Sequence, residues 1–473
     1  MGREISGDPT FKVVIIGGSI AGLTLAHCLH RAGIDYVVLE KRSEVAPQEG
    51  ASIGIMPNGA RILEQLDLYA ALEETIHPLE TAHVTYPDGF CYTSQYPTQL
   101  TERFGFPLAF LDRQKVLQHL ADSLPDTGRV STRQSVVKIQ QYKNSTRVYT
   151  QDGSCFQGDL IVGADGVHSL VREEMWRLAA EAGSEIFRSP VKEKEAMSVE
   201  YGCVFGISSA HPSLPAGRQI TCYNDNWSIL SVIGKDGRIF WFLFFKLDRK
   251  FTYSSAPRFS VAEATERCAG LAGETFWQET TFGDIWKRRE VFNMTTLEEY
   301  VMPRWYWSNI VCIGDSMHKI APHTGQGANC AMEDAAALCN ALQRLLNSEP
   351  GKGKRTPTQI DNTLNAFCAS RCSRMEIVSK SAKLAMRLHA RDGLFYRLLG
   401  RYYFPYAGDM PADKASQGIA NADMLESMPI PERSGPGWES FRVVGKEDLP
   451  VLKIIVALVV AGFVWYCWIS VSR

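Results

Sequence analysis

Apolar positions near the start of the chain change period twice within thirty residues. Val13 to Ile16 is an unbroken β-branched run closed by two glycines, the pattern of a strand buried on both faces of a parallel sheet. Ile20, Leu23, Ala26 and Leu29 then recur every third residue, which predicts a helix, and Gly33 supplies its stop. Tyr36 to Leu39 returns to a continuous run. Strand, helix and strand at this spacing make a βαβ unit, whose right-handed crossover places both strands in one parallel sheet. Leu160–Val162 and Ile310–Ile313 repeat the buried-strand pattern, and each leads into a glycine-containing turn.

Between these runs the patterning differs. Residues 81–110 hold aromatic and proline-rich loops, and residues 200–247 hold alternating and aromatic strands, together predicting a mainly antiparallel sheet inserted into the first unit. WSILSVIG and GRIFWFLFF flank a KDG turn and predict a hairpin, its large side chains serving either as core or as the lining of a lipophilic pocket. Residues 357–403 have helical periodicity with a basic bias from Arg371, Arg374, Lys380, Lys383, Arg387 and Arg391. That face is read as solvated or as resting on anionic lipid. Residues 405–450, rich in Pro, Gly, Ser and Asp, predict a linker.

The last apolar run is long enough to matter on its own. Ile454 to Val471 carries no charge and would span about 27 Å as a helix, close to the hydrocarbon thickness of a bilayer. Trp465, Tyr466 and Trp468 cluster at one end, and Lys453 flanks the other. The expectation is a single C-terminal anchor in the endoplasmic reticulum. Arg442, Lys446 and Lys453 before the span put the preceding chain in the cytosol.

Composition narrows the function classes. Fifty basic against fifty-two acidic residues leave a net charge of −2, which gives no global attraction to nucleic acid. The twelve cysteines include no CxxC pair, so neither a disulfide framework nor a zinc site is expected, and no other metal site is apparent.

Three motifs carry candidate chemistry. GGSIAG, Gly17 to Gly22, joins the first strand to its helix, where unpaired N–H groups and the helix dipole suit a pyrophosphate. Gly17 permits the turn and Gly22 the close packing of helix on strand, but Ser19 stands where a second glycine is usual. Glu40, ending the second strand, is placed to accept hydrogen bonds from ribose hydroxyls. GADGVHSLVR contains Asp165, read as a helper near a pyrophosphate or nicotinamide or as an Asp-Gly turn. GDSMHKIAPHTGQGANCAMEDA places Asp315 after a strand end, and Ala328–Leu342 reads as a helix whose first N–H groups would face a ligand. His318 and His323 are read as structural.

Together these motifs resemble the three fingerprints of the single-component FAD aromatic hydroxylase superfamily, over roughly residues 10–400. GASIGIMPNGARIL, RFGFPLAFLDRQ and GADGVHSLVR are similar to the fungal epoxidases of indole-diterpene and meroterpenoid biosynthesis. The resemblance implies FAD, NADPH or NADH, and O₂ as co-reactants of a monooxygenase. It implies Glu40 on the ribose, Gly54 and Arg113 along the FAD, Asp315 on the ribityl chain, and Ala328 by the flavin ring. Gly325 and Gly327 would then let the helix approach that ring. As a catalytic side chain positioning substrate or peroxide, Tyr223 with Arg218 nearby is the candidate.

The expected architecture is an α/β, Rossmann-like, doubly wound FAD-binding domain at 10–80, 111–185 and 296–345. A mixed β-sheet substrate domain is inserted at 81–110 and 186–295, and a helical region at 346–404, the linker and one transmembrane helix at 451–471 follow. The expected reaction is epoxidation of a prenyl or terpenoid double bond on a lipophilic prenylated substrate. Aromatic hydroxylation is the alternative, and a membrane-bound flavoprotein that oxygenates nothing is the third reading.

Overall fold

The β-branched run at the start forms a strand, Lys12–Ile16, at the centre of a six-stranded sheet in the computed structural model, which describes residues 11–49, 52–142, 145–187, 190–348 and 354–443. Its neighbours are Asp35–Leu39 on one side and Leu160–Gly163 on the other, both parallel. Ile310–Cys312 extends the sheet beyond Leu160–Gly163, again in parallel. All four carry continuous apolar residues because both faces are covered. The helices Ile20–Arg31 and Gln326–Asn347 pack against each other, and the Cys339 Sγ reaches the Cys28 carbonyl at 3.4 Å.

The second sheet has eight strands and is mixed. Its order runs His318–Lys319, Arg289–Val301, Ser198–Ser208, Ile239–Thr252, Trp227–Ile233, Arg218–Asn224, Thr81–Thr85, Cys91–Ser94. One pair is parallel, Arg218–Asn224 with Thr81–Thr85. The aromatic hairpin forms around a short 3₁₀ turn at Lys235–Gly237, with Leu230 opposite Phe242 and Ser228 opposite Phe244. Alternation then divides its side chains between two cores. Phe240, Phe242 and Phe244 face the first sheet's side, while Ile239, Trp241, Leu243 and Phe245 join a separate cluster under the helices Val261–Gly270 and Phe282–Lys287. The final pair, Tyr300 with Lys319 and Val301 with His318, brings the third motif onto the edge of this sheet.

The arginines of the helix Pro357–His389 are engaged by acids. Arg371 is fully buried against Glu333, Asp334 and Asp423, Arg374 pairs with Glu333, and Arg387 with Glu200. Spacing along the helix showed the cations but not the acids that face them, so the basic stripe is corrected for its arginines, which form ion pairs, while Lys380 is exposed and Lys383 half-buried. A second correction concerns the linker. Within 405–443 the chain forms the helix Met410–Ala420 and returns across the first unit. Trp438 is buried edge-on to Phe104, with the Arg61 guanidinium 3.5 Å above its ring. Leu425, both through its amide and its carbonyl, binds the Gln65 side chain. Pro and Gly here shape a strap whose apolar side chains are anchored, whereas composition alone suggested a solvated spacer.

The third correction is to the expected membrane helix. Among the described residues no helix is long and apolar enough to cross a membrane. The span expected at 451–471 lies outside the described residues. That expectation rested on hydropathy, length and the aromatic and basic flanks of the run. The architecture of the described residues is therefore corrected to one without a transmembrane helix, and the single-pass anchor and endoplasmic reticulum placement drawn from it are not carried further.

Candidate functional site

The turn after the first strand is built to bring backbone close to a ligand. Gly17 has φ of +108°, and its amide donates to the Leu39 carbonyl at 2.8 Å. A Cβ at Gly17 would lie 2.3 Å from the Ala164 oxygen, and one at Gly22 would lie 1.9 Å from the Gly17 oxygen. Only glycine fits at either position. Glu40, buried at the end of the second strand, accepts from the amides of Gly18 at 2.7 Å and Arg42 at 2.9 Å. Its carboxylate is thus fixed beside the turn.

The departure at Ser19 has a structural explanation. Ser19 stands at the N-cap of the helix Ile20–Arg31 but makes no side-chain cap; its Oγ instead accepts from the Arg113 Nη2 at 2.7 Å. Arg113 begins the helix Arg113–Asp122 and also meets Glu49 at 3.3 Å. Burial pulls the guanidinium below its ordinary value while Glu49 opposes. A hydroxyl and a planar cation therefore sit together at the uncapped end of a helix, a donor set that fits a pyrophosphate.

The third motif reaches the same region from the other side. Asp315 lies in the 3₁₀ turn Gly314–Ser316, its carboxylate paired with Lys319 and its carbonyl accepting from the Tyr300 hydroxyl at 2.5 Å. Burial pulls the Lys319 ammonium down, but Asp315 outweighs it and raises it. Gly325 then takes φ of +62° as N-cap of the helix Gln326–Asn347, which has no side-chain cap. A Cβ at Gly327 would meet nothing within 4 Å, so the first turn is open on that side, and Ala328 follows it half-buried. Asn329 ties this turn to the strand Ser52–Ile55: its Nδ2 donates to the carbonyls of Gly54 at 2.9 Å and Gly325 at 2.7 Å, and its Oδ1 accepts from the Met56 amide at 3.0 Å. Gly54 is thereby held against the helix start. Asn329 and Lys319 were not singled out by pattern, and Ser19 was noted only as a departure from the glycine motif, since their partners are distant in the chain or ordinary in type.

Beneath the turn lies a fully buried ionic network. Asp334 accepts from the Gly314 amide at 2.8 Å and from the Arg371 Nε at 2.7 Å, and its Oδ2 lies 2.7 Å from the His318 Nε2. Glu333 is held by Arg374, by Arg371 and by the Asn58 amide at 2.7 Å. His318 is a member of this scaffold. In the second motif Arg172 is likewise inward, donating to the carbonyls of Ser316 and Val167. Asp165 accepts from the Val171 amide through Oδ2, while its Oδ1 has no partner among the described residues, and burial pushes this carboxyl above its ordinary value.

Tyr223 lies on the inner face of the large sheet, stacked on His389 at 4.4 Å and edge-on to Tyr86 at 5.2 Å. Burial pushes its hydroxyl well above the usual range, so it is no base. Arg218 is not its companion. Five residues apart on one strand, the two face opposite sides, and Arg218 lies over Trp277 at 5.0 Å.

Known proteins share this chain's family and fold. The family model described as "FAD binding domain" matches residues 10–192 and 262–356. The chain is similar to FAD-dependent monooxygenase cdmI of Talaromyces verruculosus, at 54% identity over 95% of this chain and 93% of the relative. It is similar to FAD-dependent monooxygenase pyr5 of Aspergillus fumigatus, at 57% identity over 91% and 93%. In fold it resembles Klebsiella pneumoniae HpxO complexed with FAD and uric acid, with a TM-score of 0.69 and 20% identity over 89% of this chain and 99% of that one. The glycine cradle, the uncapped helix and the relatives agree: the chain belongs to the FAD-binding family that includes these fungal enzymes, and it is an FAD-dependent monooxygenase.

Proposed function

We propose that this monooxygenase uses NADPH or NADH and O₂ to epoxidise a prenyl or terpenoid double bond of a lipophilic intermediate in fungal meroterpenoid or indole-diterpene biosynthesis. The observation that carries the substrate class is the inner face of the large sheet. Phe205, Leu230, Val232, Phe240, Phe242 and Phe244 lie on the sheet face turned toward the first unit, an apolar wall with no charged residue among them. Burying an isoprenoid arm of about 200 Å² there would contribute roughly 5 kcal/mol before ordering costs, enough to orient an alkene without an ionic anchor.

The residues present fit FAD. Ser19, Arg113 and the amides of the Gly17–Gly22 turn would hold the pyrophosphate, Glu40 the ribose, and Asp315 the ribityl hydroxyls, while Gly54, Gly327 and Ala328 would border the ring. Asp165, within the second motif, would help hold the pyrophosphate or nicotinamide. Bound FAD supplies the two-electron chemistry by which one atom of O₂ enters the substrate and the other leaves as water. The protein's part is positioning and charge: the uncapped start of Gln326–Asn347 favours negative charge at the ring edge it faces. Tyr223 and the phenylalanine wall orient the substrate and exclude water.

Supplying NADPH, ¹⁸O₂ and a farnesylated arene to the enzyme should yield a product with one ¹⁸O at the alkene. Label on the aromatic ring would establish hydroxylation instead, and NADPH consumption with no labelled product across a panel of prenylated compounds would remove the reading. Asp315→Ala should weaken FAD retention roughly tenfold, the effect of losing one charged hydrogen bond. Full flavin content in that variant would place the ribityl contact elsewhere.

A further inference from the structure

A small group of polar atoms on the inner sheet face is left without partners. Neither ring nitrogen of His323 has a hydrogen bond among the described residues, nor has the Thr324 Oγ1, the His389 Nδ1 or the Ser228 Oγ, and all are shielded from solvent. They are neighbours. Ser228 is in register with Tyr223 on one side and Phe244 on the other. His389 stacks on Tyr223, the His323 ring lies 3.9 Å from Phe244, and the two histidine rings meet edge-on at 4.8 Å. His323 and Thr324 directly precede Gly325, the N-cap of Gln326–Asn347. The cluster therefore stands between the apolar wall and the helix start.

Buried polar groups are nearly always satisfied, and several orphans in one place call for a ligand or a function. The cluster is also uncharged. Burial holds His323 well below its ordinary value and brings His389 down to about 3. The closest acids on the adjoining loop and strand are already engaged, Asp392 with Lys246 and Tyr201, Asp225 with Arg391. What remains is a set of neutral donors and acceptors framed by rings. Such a set cannot hold a carboxylate or phosphate by charge, and it discriminates against a hydrocarbon that leaves its atoms unpaired.

We infer that His323 and His389, with Ser228 and Thr324 beside them, receive a neutral oxygen-bearing end group of the substrate, a hydroxyl or ring carbonyl, and so set which end of a lipophilic molecule lies by the helix start. This rests on the lipophilic-substrate reading above. It makes the site specific for amphiphilic molecules: an apolar arm for the phenylalanine wall and one uncharged polar head for the histidines.

The test titrates the FAD-loaded enzyme with a farnesylated phenol and with the same farnesyl arene lacking its hydroxyl, following the perturbation of the flavin absorbance. The phenol should bind about fivefold more tightly, the gain of one neutral hydrogen bond. The double variant His323→Phe, His389→Phe should bring the two affinities together with FAD content unchanged. His323→Asn, which keeps a donor and an acceptor, should restore part of the preference. Equal binding of the two compounds by the unmodified enzyme overturns the inference, as does a double variant that keeps the full preference; buried water then satisfies these atoms. Should the double variant fail to fold, the unmodified enzyme and His323→Asn decide the matter. If neither compound binds, the lipophilic-substrate reading falls and this inference with it.

Discussion

Replacing Arg371 by alanine is expected to lower the unfolding free energy by about 3–5 kcal/mol at neutral pH, the effect of stranding buried charge. Arg371 is fully buried and bridges Glu333, Asp334 and Asp423, while the first two are themselves inaccessible to solvent. Burial alone would push both carboxyls up. Arg374 and Arg371 beside Glu333, and His318 and Arg371 beside Asp334, outweigh it and hold both below their ordinary values. Carboxylates depressed in the folded state contribute stability that is present above their unfolded values, about 4, and is lost as pH falls through the folded ones. In the alanine variant burial dominates and the sign reverses, because protonated acids are tolerated where unpaired anions are not. The deficit should therefore narrow as pH falls from 7 toward about 4. Urea unfolding of both proteins across that range measures it, and a deficit that is constant with pH would mean that lost packing, not stranded charge, is the cause.

Gly22→Ala should leave the purified protein without yellow colour. Its Cβ would stand 1.9 Å from the Gly17 oxygen, backbone that cannot rotate away, so the helix Ile20–Arg31 must shift outward by more than 1 Å to reach ordinary contact. That shift moves the helix start away from Glu40 and Arg113 together. Several charge-assisted contacts weaken at once, and FAD affinity should drop about a hundredfold or more. Gly327→Ala is the comparison. Its Cβ meets open space in the protein itself, so it should melt like the unmodified enzyme and affect only flavin content. Normal FAD occupancy in Gly22→Ala would show that the turn accommodates the methyl without disturbing the pyrophosphate contacts.

How far these features could be read in advance depended on the distance between partners. The buried strands and their glycine turns were legible because each signal lies within a few residues: a β-branched run, a turn, a helical period. Glu40 was legible for the same reason. Ser19 looked like a defect in the first motif until Arg113, far along the chain, turned out to hold its hydroxyl. The arginines of Pro357–His389 looked like a surface because Glu333 and Asp334 belong to another helix. Tyr223 was named, but its partner was misjudged. Arg218 is close in sequence yet on the opposite face of the strand, whereas His389 is remote in sequence and stacked on the ring. The strap at 405–443 was misread for a different reason. Its proline and glycine content is that of a spacer, and only the docking of Trp438 and Leu425 reveals its anchored course.

The pairing of His318–Lys319 with the end of Arg289–Val301 limits how this enzyme can be recombined with its relatives. The loop that carries Asp315, His323 and the helix start is stitched to the same sheet that supplies the phenylalanine wall. A chimera that exchanged residues 198–301 alone would cut between hydrogen-bonded neighbours and leave Tyr300 and Asp315 drawn from different parents. Grafts meant to transfer the apolar wall should therefore take 198–329 as one cassette, because the wall and the loop facing it are inherited as a single moulding.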